Sequence, residues 1–334
     1  MMKPANNVSF PRQQRNRAPA VAKVAVNGIL LLDKPVGLSS NAALQRVKRL
    51  FNARKAGHTG SLDPLATGML PICFGEATKL SHCLLEADKT YQFVCQLGQR
   101  TTTGDAEGEL LESQAVPVLS QTQVEQVLAD FVGVTEQIPP MYSALKHQGK
   151  RLYELARQGK EVERPPRQVV IKQLSLLTLT PDRIECRVRC SKGTYVRVLA
   201  EDIATALGSC GHVIALRRET VAPFESGDMV ELAQLEQLVE QRVQQCSDTL
   251  EDGSSQTLLD YILPVDAGLT GSSRLELDAL HTKSICMGQA ITLEQAQTMA
   301  TGQVSLFGPD NQLIGLGEVL ANGRVRLRRR VRSD

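Results

Sequence analysis

An α+β chain of two domains is the fold class the sequence predicts, and three observations predict it. Strand-like and helix-like stretches alternate between residues 27 and 265. From about Asp266 the pattern changes to short apolar runs separated by Gly, Asn and Asp, as a small β-rich domain over 266–334 would show. The length, 334 residues, suits two domains of ~100–200 residues better than one, and a hydrophobic content of 42% can supply both cores.

Residues 1–26 are rich in Pro, Asn, Gln and Arg and have no hydrophobic period, which reads as a disordered basic extension. Order is expected from Asn27. Gly28 to Leu32 reads as a buried strand and Asp33-Lys34-Pro35 as a turn, and Ser39 or Ser40 caps a helix that lines up Leu44, Val47, Leu50 and Phe51. The stretch from His58 to Leu70 is too irregular for a helix or a plain strand. Thr78 to Leu85 looks helical, Tyr91, Phe93, Cys95 and Leu97 alternate as in a strand, and Gln121 to Phe131 is an amphipathic helix. Residues 138–167 open on Pro139-Pro140, close on Pro165-Pro166 and carry seven Lys or Arg between Lys146 and Arg167. They read as a cationic excursion from the core, with one short helix around Leu152 to Ala156. Strands follow at Val169 to Thr178 and Ile184 to Cys190, then a helix with Leu199, Ile203 and Leu207 on one face, and a strand at Val213 to Leu216. A helix near Val230 to Arg242 and a polar loop from Ser247 to Thr257 complete the first domain. There is no internal repeat.

Charge is segregated, although the net value is only +2. Residues 1–28 hold five bases and no acid, residues 46–55 hold five more bases and no acid, and the last twelve residues hold six arginines against one aspartate. Residues 219–266 reverse this, with eleven acids and one base. Each run alone is explained by a solvated face; three together point to a polyanion such as RNA. The longest apolar runs fall far short of the ~20 residues of a membrane helix. Eight cysteines without a C-x-x-C pair, and no charged-then-apolar leader, fit a reducing cytoplasmic compartment. The five histidines do not cluster with cysteine, so no zinc site is expected.

One carboxylate stands out. Asp63 lies in His-Thr-Gly-Ser-Leu-Asp-Pro-Leu-Ala-Thr-Gly-Met-Leu, residues 58–70. Pro64 restricts Asp63 to extended backbone, Gly60 and Gly68 let the chain turn sharply, and Leu62, Leu65, Met69 and Leu70 can anchor the loop. Asp-Pro is also an ordinary turn dipeptide, but a loop anchored in this way presents a held reactive group.

That segment closely resembles the signature of the TruB family of pseudouridine synthases. Five other stretches agree with it: GILLLDKPVGLSS (28–40), ICFGEATK (72–79), IPPMYSALK (138–146), CSKGTYVR (190–197) and GHVIALRR (211–218). The resemblance covers most of residues 27–220 and is weaker beyond. It implies a pseudouridine-synthase-like mixed sheet with flanking helices over 27–265, an RNA-clamping insertion at about 138–167 and a PUA-like RNA-binding domain over 266–334. It also implies an enzyme that isomerises the T-loop uridine of tRNA, position 55, without metal or organic cofactor. By the same carry-over Asp63 is the catalytic aspartate, Arg197 its partner and Tyr91 the residue that stacks on the base. Tyr195 and Leu216 line the base pocket, His58 helps hold the opened loop, and Lys34 lies near the active site. Lys146, Lys150 and Arg151 contact RNA on the insertion.

By pattern alone Tyr91, Tyr195 and Leu216 would be core residues, and Arg197 a surface arginine at a strand end. The expected partner is the T-arm of tRNA, with no membrane, no obligatory protein partner and a monomeric state. Two other readings stay open: an RNA-folding module with an idle site, and a guide-RNA-dependent synthase of the dyskerin-like branch. The C-terminal basic segment, Arg324 to Arg332, suits an edge strand as well as it suits RNA binding.

Overall fold

A computed structural model describes residues 22–245, 257–269 and 273–332 of the chain. The extension and the polar loop expected from the sequence lie mostly outside the described residues.

The chain opens with β1 (Gly28–Lys34), α1 (Ser40–Leu50), β2 (Ala56–His58) and β3 (Thr67–Phe74), then a 3₁₀ turn at Gly75–Lys79 and α2 (Ser81–Glu86). β4 (Lys89–Leu97), the hairpin of β5 (Gln99–Thr101) and β6 (Leu110–Ser113), α3 (Gln121–Asp130) and β7 (Gly133–Gln137) follow. The insertion holds β8 (Lys146–His147), β9 (Lys150–Arg151) and α4 (Leu152–Ala156). After it come β10 (Arg167–Thr180), β11 (Arg183–Cys190), α5 (Val196–Ala206), β12 (Gly211–Val221), β13 (Val230–Glu231) and α6 (Leu232–Gln245).

Nine of these strands form one mixed sheet, in the order β13-β1-β3-β12-β4-β11-β10-β7 with β2 beside β3. The β1–β13 and β3–β12 pairs are parallel; the others are antiparallel. The run Ile29 to Leu32 is continuously apolar because both faces of β1 are covered. Leu30 and Leu32 join the core under α1, α5 and α6, while Ile29 and Leu31 join a second cluster with Met69, Leu84 and Phe224. β4 alternates because only one of its faces meets the main core, through Phe93, Cys95 and Leu97.

A separate five-stranded sheet follows, formed by β14 (Ser273–Glu276), β15 (Ile291–Thr292), β16 (Gly302–Phe307), β17 (Leu313–Val319) and β18 (Arg324–Arg330) in the order β14-β16-β17-β18-β15. It has its own core around Leu275, Ile285, Leu306 and Val325, and two helices, α7 (Ala279–Cys286) and α8 (Glu294–Gln297), that the β-rich pattern did not announce. The predicted class stands: a large mixed sheet with flanking helices and a small β domain of PUA-like form.

Several local expectations shift. Asp33 and Lys34 continue β1 rather than turning, because they pair with Met69 and Gly68 of β3; the turn falls at Val36-Gly37. Residues 67–70 of the irregular segment are strand, since β3 is paired on both sides. The helix expected at Thr78–Leu85 is a 3₁₀ turn followed by α2, and the acidic helix begins at Leu232, after a short strand. Ser39 is the N-cap of α1.

The basic strand β18 lies between β17 and β15 rather than on an edge. Arg326 and Arg328 share Glu318, Arg329 donates to the carbonyl of Lys79, and the backbone N–H of Arg332 donates to Glu76. This segment therefore spends several of its charges on sheet pairing and on docking to the 3₁₀ turn. Leu80, Phe307, Leu316 and Val331 form an apolar cluster at the same contact.

Candidate active site

Asp63 sits on a loop between β2 and β3 that is fixed from three sides. From α1, the buried Ser40 Oγ donates to the Leu62 carbonyl at 2.9 Å and accepts from the Leu62 N–H at 2.7 Å. From the end of β1, the fully buried Lys34 ammonium donates to the carbonyls of Pro35 (2.9 Å), Leu38 (2.6 Å) and Pro64 (3.4 Å). From β12, Arg218 donates to the carbonyls of Met69 at 2.7 Å and Gly60 at 3.0 Å. The two glycines are required by this geometry. Gly60 has φ +69°, and at Gly68, φ +97°, a Cβ would stand 2.2 Å from the Arg218 carbonyl oxygen.

Arg197, the second residue of α5, joins three segments through one guanidinium. Its Nη2 lies 3.0 Å from Asp63 Oδ2 and donates to the Tyr142 carbonyl at 2.8 Å. Its Nη1 lies 3.3 Å from Asp105 Oδ2 and donates to the Thr103 carbonyl at 2.7 Å. The Arg197 and Asp105 side chains are 7% and 4% exposed, whereas Asp63 keeps 41%, so the carboxylate that opens to the cleft is Asp63. Thr103 Oγ1 and the Glu107 N–H complete the coordination of Asp105.

Burial pushes the Asp63 carboxyl above the ordinary value and the Asp105 charge adds to this, while Arg197 and Lys34 pull it back without reversing the direction. Arg197 thus offsets a desolvation that would otherwise protonate Asp63 more strongly. Lys34 is pushed down to about 8 by burial, with Asp63 opposing. His58 is lowered by burial and by the nearby Arg218 and Arg151 charges, which leaves a neutral imidazole at pH 7. Burial raises the Tyr91 and Tyr195 phenols.

Two chambers meet at Asp63. The smaller, about 370 Å³, is lined by Tyr91, Tyr195, Leu216, Lys89, Arg218 and Arg197 among others. The larger, about 650 Å³, has His58, Asp105, Glu107, Arg151, Tyr153 and Arg157 in its wall. Asp63, Arg197 and Tyr142 to Ala144 belong to both. The structure therefore brings Asp63, Tyr91, Arg197, Tyr195 and Leu216 around one chamber, and His58 and Arg151 around its neighbour. Lys34 lies behind the loop and lines neither. Lys146 and Lys150 are exposed on the β8–β9 hairpin and also line neither. Arg197 is a buried helical residue, not a surface arginine at a strand end.

Sequence reading passed over Asp105, Arg218 and Lys89. Lys89 carried a signal, since it stands two residues before Tyr91 and so on the same face of β4. Asp105 carried a weaker one, a carboxylate in the glycine-flanked turn Gly104 to Gly108. The burial of Arg218 has no local signature; it arises where β12 is sandwiched between β3 and β4.

Three family models match the chain one after another between residues 48 and 331: "TruB family pseudouridylate synthase (N terminal domain)" over 48–196, "tRNA pseudouridylate synthase B C-terminal domain" over 197–270, and "Pseudouridine synthase II TruB, C-terminal" over 273–331. A protein of Nitrosococcus oceani named tRNA pseudouridine synthase B is 50% identical over 309 residues, 92% of this chain and 96% of that one. One of the same name from Coxiella burnetii is 48% identical over 316 residues, 94% and 98% of the two chains. Among solved structures, a chain of an H/ACA ribonucleoprotein bound to a substrate RNA containing 2′-deoxyuridine aligns with TM-score 0.68 at 20% identity, over 92% of this chain and 85% of that one. A chain of a Cbf5-Nop10-Gar1 complex aligns with TM-score 0.64 at 23% identity, over 88% and 78%. These structural likenesses establish the fold.

Proposed function

The chain belongs to the TruB family of tRNA pseudouridine synthases, and we propose that Asp63 is the residue with which it isomerises the T-loop uridine, position 55 of tRNA, to pseudouridine. The isomerisation breaks C1′–N1, turns the uracil, forms C1′–C5 and moves the C5 hydrogen to nitrogen. Atoms and electrons balance within the nucleotide, so the reaction needs no redox group or co-substrate. What it needs is a carboxylate that can attack C1′, attack C6 or assist an elimination.

A uracil stacked in a loop cannot reach Asp63, so the nucleotide is extruded at a cost of a few kcal/mol. The smaller chamber receives the base between Tyr91, Tyr195 and Leu216, and stacking on one aromatic offsets ~1–3 kcal/mol of that cost. The sugar then lies at the junction of the chambers, against Asp63. Arg197 keeps the carboxylate aimed and limits the rise in its pKa. Neutral His58, in the wall of the larger chamber, faces the opened loop and can donate or accept there without adding charge. Arg151 lines that chamber from the insertion, and Lys146 and Lys150 extend its positive surface along the RNA backbone.

The observation that carries this reading is a clamped, cleft-facing Asp63, 3.0 Å from a buried arginine, in the wall shared by both chambers. The division of labour follows: residues 27–265 perform catalysis and 266–334 add an RNA-binding surface. We take the enzyme to act as a monomer in the cytoplasm, without an obligatory protein partner. Tritium release from tRNA labelled at uridine C5, with the purified protein and no added RNA or protein, tests this reading. Stoichiometric release at one uridine is expected. No release until a guide RNA is supplied would move the protein to the guide-dependent branch.

A further inference from the structure

The two chambers differ in charge as well as in size, and the difference runs across the bond that the reaction breaks. On the sugar side, three carboxylates, Asp63, Asp105 and Glu107, are balanced in the wall of the larger chamber by three arginines, Arg151, Arg157 and Arg197. On the base side, Lys89 and Arg218 both line the smaller chamber, and both are buried, at 6% and 1% exposure. Neither makes an ion pair within 4.0 Å among the described residues.

Lys89 donates to the carbonyls of Leu84 (3.0 Å), Leu85 (2.7 Å) and Ala87, and Arg218 to those of Gly60 and Met69. The acids nearest Lys89 are engaged elsewhere: Asp88 bonds Lys172 at 2.6 Å and lies 3.6 Å from Arg189, and Glu86 bonds Lys192. Carbonyl dipoles satisfy the three N–H groups of Lys89 and two of the five of Arg218, but leave the net charge of both. Tyr91 neighbours both, paired with Arg218 of the adjacent strand β12 and two residues from Lys89 along β4. Two like charges buried side by side are costly, and burial together with the Arg218 charge pushes the Lys89 ammonium down to about 8. A fold that wanted only a cap for α2 could use a neutral donor.

We propose that Lys89 and Arg218 form a cationic wall that stabilises the negative charge the uracil ring acquires when its bond to the ribose breaks, opposite a sugar side whose acids and arginines balance. The inference rests on the assignment of the base to the smaller chamber. In the step concerned, the C1′–N1 electron pair moves onto the ring and is shared by N1, O2 and O4. Asp63 takes C1′ or C6, or removes a proton from the sugar. The pair returns to C1′ when C5 bonds to it, and the C5 proton then leaves to a base. Whichever partner Asp63 attacks, the ring is most negative between these two events. Fixed charges in a water-poor pocket act most strongly at that point. With every N–H of Lys89 already bonded, its action is through its field rather than through a hydrogen bond to the base.

The test compares two tRNAs, one with uridine and one with 5-fluorouridine at the target, whose electron-poor ring is the better leaving group and depends less on external stabilisation. The rate of C1′–N1 cleavage is measured in single turnovers by nucleoside digestion. Lys89→Met is expected to slow the uridine substrate roughly 10- to 100-fold and the fluorinated one clearly less, with Lys89→Arg restoring most of the loss. A misfolded pocket would slow both equally, so the ratio separates charge from structure. A ratio unchanged by Lys89→Met, whether both rates fall or neither does, overturns the proposal. Wild-type protein inactive on uridine tRNA would instead overturn the functional reading beneath it.

Discussion

The loop that carries Asp63 and the insertion between Ile138 and Arg167 are both irregular, and they are held in opposite ways. The loop is tied by Ser40, Lys34 and Arg218, each buried and each bonded to its backbone. The insertion projects Lys146, Lys150 and Arg151 outward on a two-stranded hairpin, with Leu152 and Leu155 as buried footholds. Its root is tied to the Asp63–Arg197 cluster through the Tyr142 carbonyl, which accepts from Arg197. Irregular backbone gains positional accuracy when buried side chains satisfy its carbonyls and N–H groups. Without them it stays adaptable, which suits a surface that must follow an RNA.

The contrast is broken most severely at Arg197, where both regions are joined. Arg197→Lys replaces a planar fork with one ammonium that cannot reach Asp63, Asp105 and two carbonyls together. A fall in kcat of about 10²- to 10³-fold is expected, measured as single-turnover pseudouridine formation, with tRNA affinity changed much less. Next in size is Gly68→Ala, which drives a Cβ against the Arg218 carbonyl in a left-handed backbone. It should cost about 3 kcal/mol or more in denaturant unfolding. Lys34→Met removes the donor from three carbonyls and should cost roughly 2–4 kcal/mol by the same measurement, with a loss of activity that follows the loosened loop.

The insertion should behave differently. Lys150→Ala combined with Arg151→Ala should change stability by less than about 0.5 kcal/mol, weaken tRNA binding and reduce the slope of log K against log salt by between 1 and 2. Equal effects on stability at the loop and the insertion would erase the distinction. The smallest effect concerns pH. Because burial raises the Asp63 pKa, the ionised form is lost as pH falls through a value above that of an exposed aspartate. The acid limb of kcat should therefore lie higher than a solvent-exposed aspartate would place it.

Much of this contrast was legible in the sequence, and the reason differs by residue. Gly60, Gly68 and Pro64 announce a constrained loop because their backbone preferences are local, and the alternation at Tyr91 to Leu97 announces β4 for the same reason. The basic residues of 138–167 announce a cationic surface through composition. What could not be read is what long-range pairing creates. Arg218 looks like half of an Arg-Arg pair at a strand end, yet it is buried because β12 runs between β3 and β4. Lys34 looks like part of a turn, yet β3 draws it into β1 and its ammonium under the catalytic loop. Asp105, 42 positions beyond Asp63 in the sequence, is brought to the wall of the larger chamber as a partner of Arg197.

The central claim is that this clamped loop exists to present one carboxylate. It is tested most directly by Asp63→Asn, a substitution that keeps shape and removes charge, with tRNA affinity, melting temperature and tritium release from uridine C5 measured side by side. The account predicts affinity within about threefold of wild type, corresponding to less than ~1 kcal/mol, an unchanged or higher melting temperature, and no detectable release. Release by the variant at the wild-type rate would contradict it.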